Sequence, residues 1–281
     1  MERRALVLGG GGLVGIAWET GLLVGLADLG LDLRDADLII GTSAGAAVGA
    51  NLRSGRTLED LYAAQVEGRS RELPARSGPA VMLPILWTAL AGPEGYGALA
   101  RLGRRARATA TVKPPERRAV IERRLERTTW PDWPERGLWL TAVDADSGRL
   151  HVFGRDSTPD VVDAVAASCA VPGVWPPVRI GDRDYLDGGL RSGANADLAT
   201  GCSVVVVLAP QPGGMRAAAR TPYQLRSLGT DVTSVEVTPD RIARRSMLGN
   251  PLNPGLAGAA VRAGRDQAAR VAERIRAAWT G

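Results

Sequence analysis

A serine hydroxyl is a weak nucleophile until its backbone exposes it and its neighbours polarise it. One serine of this 281-residue chain is placed for that: Ser43 sits in Gly41-Thr42-Ser43-Ala44-Gly45, a G-x-S-x-G pentad. The apolar run Leu38 to Ile40 precedes it as a short buried strand, and a helical run, Ala46 to Arg53, follows and stops at Ser54-Gly55. Strand, pentad and helix in that order make a nucleophile elbow, in which glycines flank a serine on a tight turn. The alternative is a glycine-rich turn with an incidental serine. Upstream, Gly9-Gly10-Gly11-Gly12-Leu13-Val14-Gly15 follows the strand-like run Arg4 to Leu8 and opens a helix reaching Leu29, with Gly30 as its C-terminal cap. Backbone N–H groups at such a helix start are unpaired and point at an anion. Two chemistries compete for them. Gly10, Gly12 and Gly15 satisfy the dinucleotide fingerprint G-x-G-x-x-G. The amides of Gly11 and Gly12 would equally serve as an oxyanion hole for a tetrahedral acyl intermediate. The fingerprint also wants an acid at the end of the second strand, whereas Asp32, Asp35 and Asp37 precede that strand and Gly41-Thr42-Ser43 ends it. A third group, Asp187-Gly188-Gly189, exposes a carboxylate on a sharp turn at a strand end, or is a plain hairpin turn.

These groups need a frame. Strands alternating with helices predict an α/β fold, and open sheets of that kind carry their sites at the carboxyl ends of the strands. Leu138 to Val143 and Leu150 to Phe153 read as a hairpin around the turn 144–148, and the only histidine, His151, falls in its return strand as a structural residue. Val178 to Ile180 and Tyr185-Leu186 are short strands leading to Asp187. Ser203 to Ala209, with four consecutive valines, is a central buried strand, and Val235 to Val237 an edge strand. Helices are expected over Thr57 to Gln65, Pro159 to Cys169 and Leu256 to Trp279, the last burying Val261, Val271, Ile275 and Trp279. Prolines at 74, 79, 84, 93, 114 and 115 divide residues 68–134, which read as a helical insertion or lid within a single domain, 1–281. Short helices are expected in it at 80–91, 95–107 and 115–127, with Trp87, Tyr96, Trp130 and Trp133 as core or as a lipid-facing surface.

Composition narrows the classes. Arginine has almost displaced lysine, Lys113 being the only one, and the net charge of +5 is spread rather than gathered. Arg101, Arg104, Arg105 and Arg107, and then Arg117, Arg118, Arg123 and Arg124, read as solvated helix faces rather than a lipid- or nucleic-acid-binding patch. Cys169 and Cys202 lie in apolar contexts and are expected as buried thiols, not a disulfide framework. Glycines and Glu19 break the first apolar stretch, so it is not read as a signal peptide, and no apolar run approaches the roughly twenty residues of a membrane span. The expectation is a cytoplasmic protein.

Gly9 to Gly15, Gly41 to Gly45 and Asp187 to Gly189, in that order, resemble the patatin-like phospholipase family, as does Ala167-Ser-Cys-Ala-Val-Pro-Gly-Val-Trp-Pro-Pro-Val178. The likeness runs from about Ala5 to Pro210. It implies a three-layer α/β/α sandwich and a Ser-Asp dyad, with Ser43 as nucleophile and Asp187 as base. It implies oxyanion amides at Gly11 and Gly12, with Gly10 and Leu13 adjacent, and motif glycines at 15, 41, 45, 188 and 189. The implied reaction is hydrolysis of a fatty acyl ester of a phospholipid or other lipid through an acyl-enzyme, without metal or cofactor, on a lipid substrate met by transient contact at a membrane surface. An aspartate of ordinary pKa, about 4, matches a serine proton poorly, so preorganised amides must supply most of the rate. Each such donor is worth about 3 kcal/mol. The chain departs from the family in carrying Val14 where a basic residue is usual, Trp175 for phenylalanine, and Asn195-Ala-Asp197 for Asn-x-Pro. The other readings are an NAD-binding oxidoreductase and a non-hydrolytic lipid-binding protein of the same fold.

Overall fold

Strand β1 (Arg4–Leu8) begins a computed structural model that describes residues 3–68, 83, 95–126, 133–211 and 216–280. In chain order follow α1 (Gly12–Asp28), β2 (Leu38–Thr42), α2 (Ala44–Arg53), α3 (Leu58–Val66), α4 (Tyr96–Ala108) and α5 (Pro114–Leu125). Then come β3 (Gly137–Asp144), β4 (Leu150–Phe153), α6 (Val161–Ser168), β5 (Val178–Ile180), β6 (Arg183–Asp187) and β7 (Val204–Leu208). The chain closes with α7 (Thr221–Ser227), β8 (Thr233–Val237), α8 (Arg241–Ser246) and α9 (Ala257–Trp279). The eight strands form one sheet with neighbours in the order β5-β6-β3-β2-β1-β7-β8, and β4 pairs with β3. β8 is its edge, as the sequence predicts.

The apolar runs are continuous because both faces of the sheet are covered. On one face Leu6, Leu8, Ile39, Leu140 and Val206 pack under α1, α2, α6 and α9. On the other, Ala5, Val7, Ile40, Val205 and Val207 meet Ala194 to Ala199 and Leu225 of α7, while Leu99 and Ala106 of α4 cover Val143 and Leu186. The result is the expected three-layer α/β/α sandwich. α1 and α9 lie together along small residues: Ala17, Ala257, Ala260 and Val261 share one buried cluster with Val14. On α9, Val261, Ile275 and Trp279 are buried as expected, and Val271 is only partly so.

Several boundaries differ from the sequence reading. β2 continues through Gly41 and Thr42, and α2 starts at Ala44, two residues early, because the turn at Ser43 is a single residue. Thr57 caps its helix as expected, and Asp160 is an N-cap rather than a helical residue, their side chains accepting from the Asp60 and Asp163 amides at 3.1 and 2.9 Å. Within the described part of the 68–134 insertion, Val120, Ile121 and Leu125 of α5 are buried. Trp133 donates its indole N–H to the Pro159 carbonyl at 2.9 Å. Trp87, Trp130 and the helix expected at 80–91, apart from Leu83, lie outside the described residues. Both cysteines are buried and free.

The register of β3 positions the site. β2 runs parallel to β3 and ends with Thr42 opposite Thr141. On the same edge, at the next residue, β6 takes over antiparallel, with Asp187 opposite Ala142. β4 occupies the far edge, since Leu140 pairs with both Gly41 and Phe153, and Ala142 with both Asp187 and His151. The ends of β2 and β6 therefore meet head to head.

Candidate active site

Where those ends meet, the Ser43 hydroxyl donates to Asp187 Oδ2 at 2.7 Å. Ser43 is held at φ 53°, ψ −110°, a backbone state that a residue with a Cβ rarely adopts. The strain has visible supports. Ser43 N–H donates to the Ser168 hydroxyl at 2.9 Å, and its carbonyl accepts from the Cys169 thiol at 3.2 Å. The Gly45 amide donates to the Gly9 carbonyl at 3.0 Å. A Cβ on Gly45 would collide with the Leu8 carbonyl, and one on Gly41 would stand 2.6 Å from Ala46 Cα. The pentad's glycines are thus required by close backbone approach. Ser43 occupies the N-cap position of α2 without a side-chain cap bond, so its hydroxyl is left to Asp187.

Asp187 is buried, 5% exposed, and accepts from the Gly189 amide at 2.7 Å through its other oxygen. Its own N–H reaches the Ala170 carbonyl at 3.0 Å, which ties the 170–177 connector to the aspartate turn. Burial pushes its carboxyl up to about 6, against the lowering influence of the Ser43 and Gly189 bonds. That lies above the ordinary value near 4, because withdrawal from water penalises the charged form more than two hydrogen bonds restore it.

The glycine loop runs beside the serine, a Cβ on Gly10 standing 3.6 Å from Ser43 Cβ. The Gly10 amide is already committed to the Gly193 carbonyl at 2.7 Å, the Val14 amide to Pro251 O at 3.3 Å, and the Gly15 amide to Gly11 O at 3.0 Å. Gly10 therefore contributes closeness rather than a donor. Among the described residues no backbone carbonyl takes the amides of Gly11, Gly12 or Leu13, the first N–H groups around the start of α1. Gly12 has φ +64° and lies under Pro251, whose carbonyl oxygen would be 2.6 Å from a Cβ there. Gly15 lies against Pro210 and Ala44, and Gly188 against Thr141. Val14, in place of a basic residue, is buried among Ala17, Ala260 and Val261. Beneath the loop Glu19 is wholly buried on α1, and burial holds its carboxyl well above the usual range.

Behind the serine lies a polar cluster that sequence reasoning missed. Asn195 Nδ2 donates to Thr42 Oγ1 and to the Ser192 carbonyl, each at 3.0 Å, and the Thr42 and Thr141 hydroxyls are 2.9 Å apart. Arg191 donates to Asn195 Oδ1 at 2.9 Å and pairs with Asp197 at 2.6 Å. The Asn195-Ala-Asp197 departure thus supplies the packing behind the aspartate turn. Its only sequence signal was an Asn and an Asp soon after the Asp-Gly-Gly. His151 is not brought in: it stacks edge-on against Phe153, ring centroids 4.5 Å apart. With β3 between them, it and Asp187 stand roughly 10 Å apart in the backbone. Trp175 carries the Arg117 guanidinium 3.8 Å over its ring, joining α5 to the connector.

The patatin-like phospholipase family matches residues 6–200. Among solved structures the chain is similar to VipD from Legionella pneumophila, at 15% identity and a TM-score of 0.51, over 98% of this chain and 67% of that one. It is also similar to ExoU in its complex with SpcU from the type III secretion system of Pseudomonas aeruginosa, at 19% identity and a TM-score of 0.44, over 100% of this chain and 52% of that one. The chain thus spans about half the length of ExoU and two thirds of VipD. No curated protein matches it.

Proposed function

Since the chain belongs to the patatin-like phospholipase family, we propose that it cleaves fatty acyl esters of phospholipids or other lipids through an acyl-enzyme on Ser43, with Asp187 as base. The observation that carries this reading is the 2.7 Å bond between Ser43 Oγ and Asp187 Oδ2, made across a separation of 144 residues. Asp187 takes the hydroxyl proton as Ser43 Oγ attacks the ester carbonyl. The carbonyl oxygen, now negative, is received by the amides of Gly11, Gly12 and Leu13, donors fixed in place before the reaction begins. Collapse expels the alcohol, which takes the proton from Asp187, and water repeats the sequence to release the acid.

The raised carboxyl supports the base assignment, because a proton acceptor near 6 matches the task better than one near 4. The Gly189 amide keeps Asp187 aimed, leaving Oδ2 for the serine. The strand end carries Gly41-Thr42-Ser43 in place of the acid that a dinucleotide site wants. The test is labelling with a fluorophosphonate and hydrolysis of p-nitrophenyl butyrate. Ser43 is the expected adduct, and Ser43→Ala is expected to abolish both signals. An adduct on another residue, or activity surviving in Ser43→Ala, overturns the reading.

A further inference from the structure

Among the described residues no helix is long and apolar enough to cross a membrane. One surface stands out beside the glycine loop. Helix α8 and the turn after it expose Ile242 and Leu248, at 60% and 71%, the two most exposed large apolar side chains described. Arg241, Arg244 and Arg245 are exposed around them. Their neighbour Asp240 is occupied by Arg270 at 2.6 Å, and among the described residues none of the three arginines has an ion-pair partner. From Arg241 to Arg265 the chain holds five arginines and no carboxylate.

The patch adjoins the site. Three residues past Leu248, Pro251 rests on Gly12 and accepts from the Val14 amide. Three residues of chain reach at most about 11 Å, so Leu248 stands within that distance of the backbone touching the glycine loop. Protruding aliphatic side chains ringed by unpaired guanidiniums suit an interface of acyl chains beneath anionic headgroups.

Resting on the lipid-hydrolase reading above, we propose that α8 and the 247–253 turn form the docking surface that seats the site on an anionic lipid bilayer. Ile242 and Leu248 enter the acyl boundary while Arg241, Arg244 and Arg245 meet the headgroups.

The test is co-sedimentation of the full chain with vesicles of equal parts phosphatidylcholine and phosphatidylglycerol, and with vesicles of phosphatidylcholine alone. The expected result is binding to the anionic vesicles that weakens with salt and is at least about tenfold stronger than to the neutral ones. Ile242→Asp/Leu248→Asp and Arg241→Glu/Arg244→Glu/Arg245→Glu should each lose about tenfold or more, and the three Arg→Lys changes together should keep it. Hydrolysis of p-nitrophenyl butyrate should stay within about twofold in every variant, which also shows that each folds. Equal binding by wild type and both charge-altering variants overturns the proposal. So does wild type that ignores anionic vesicles, the outcome expected if the patch takes a protein partner. Vesicle binding without ester hydrolysis in the wild type would sink the enzymatic reading and leave the docking surface standing.

Discussion

Two polar clusters lie back to back at Thr42 and are treated in opposite ways. On one face of the sheet, Ser43 sits at positive φ, Asp187 is buried with its carboxyl lifted, and among the described residues three amides face no carbonyl. On the other, Thr42, Thr141, Ser192 and Asn195 bond one another and the backbone. The face proposed to be reactive is the strained one, and the satisfied face lies directly behind it. Asn195 links the end of β2, the middle of β3 and the aspartate turn, the three segments whose relative placement sets the dyad. Strained geometry persists where its surroundings over-determine it, and here one buried amide and two threonines act together with Ser168, Cys169 and Gly9, which hold the Ser43 turn itself.

The contrast can be broken from either side. The largest effect belongs to the reactive face: Ser43→Ala and Asp187→Asn should each lower kcat/KM for p-nitrophenyl butyrate by about four orders of magnitude with little change in Tm. A drop in Tm as large as that seen for core substitutions would mean these groups hold the fold instead. Next comes the satisfied face. Asn195→Ala leaves Thr42, Thr141 and two carbonyls short of a partner and should cost about 2–4 kcal/mol of stability in denaturant unfolding. If it lowered activity and left stability alone, the two faces would not differ as described. Ser168→Ala removes the acceptor of the Ser43 amide and should lower kcat and the fluorophosphonate labelling rate about tenfold, with KM unchanged. The smallest effect is His151→Ala, within about threefold, since His151 lies on the far edge of β3. A loss comparable to that of Ser43→Ala would make it a third member.

Acidity sharpens the same comparison. With Asp187 at about 6, kcat/KM should fall as pH drops through 6, where an ordinary carboxylate would hold the rate down to about 4. Its stability contribution has the opposite sign. A native carboxyl that binds its proton more tightly than the unfolded one stabilises fully below about 4 and loses that contribution as pH rises through 6. A pH–rate profile and urea midpoints measured across that window should therefore run in opposite directions. An acidic limb centred near 4 would show that water reaches Asp187.

The residues of the proposed site were far more legible in the sequence than those that support them. Ser43, Asp187 and the glycine loop could be read because close backbone approach demands glycine and leaves short, dense signatures. The strands showed because burial on both faces leaves long apolar runs, such as Val204 to Leu208. Asn195 and Ser168 did not show: a buried amide or hydroxyl looks like any surface one until the partners arrive, and Asn195 meets Thr42 from 153 residues away. Pro251 over the glycine loop has no local signature for the same reason. The lifted carboxyl of Asp187 is set by everything packed around it. Helices α7 and α8, seven and six residues long, are too short for a periodic pattern to be read.

The head-to-head ends of β2 and β6 have one more consequence. β6 pairs with β3 over only three residues, Asp187 to Tyr185. A slip of one residue there would send the carboxylate to the opposite side of the sheet and leave Ser43 without a proton acceptor, although the molecule would stay collapsed and largely helical. On the proposed mechanism, chemical reactivity of the serine is thus an assembly gauge. In a sample recovered from denaturant, the fraction of chains whose Ser43 can be titrated covalently would count the sheets that zipped in correct alignment, which circular dichroism cannot distinguish from their misaligned siblings.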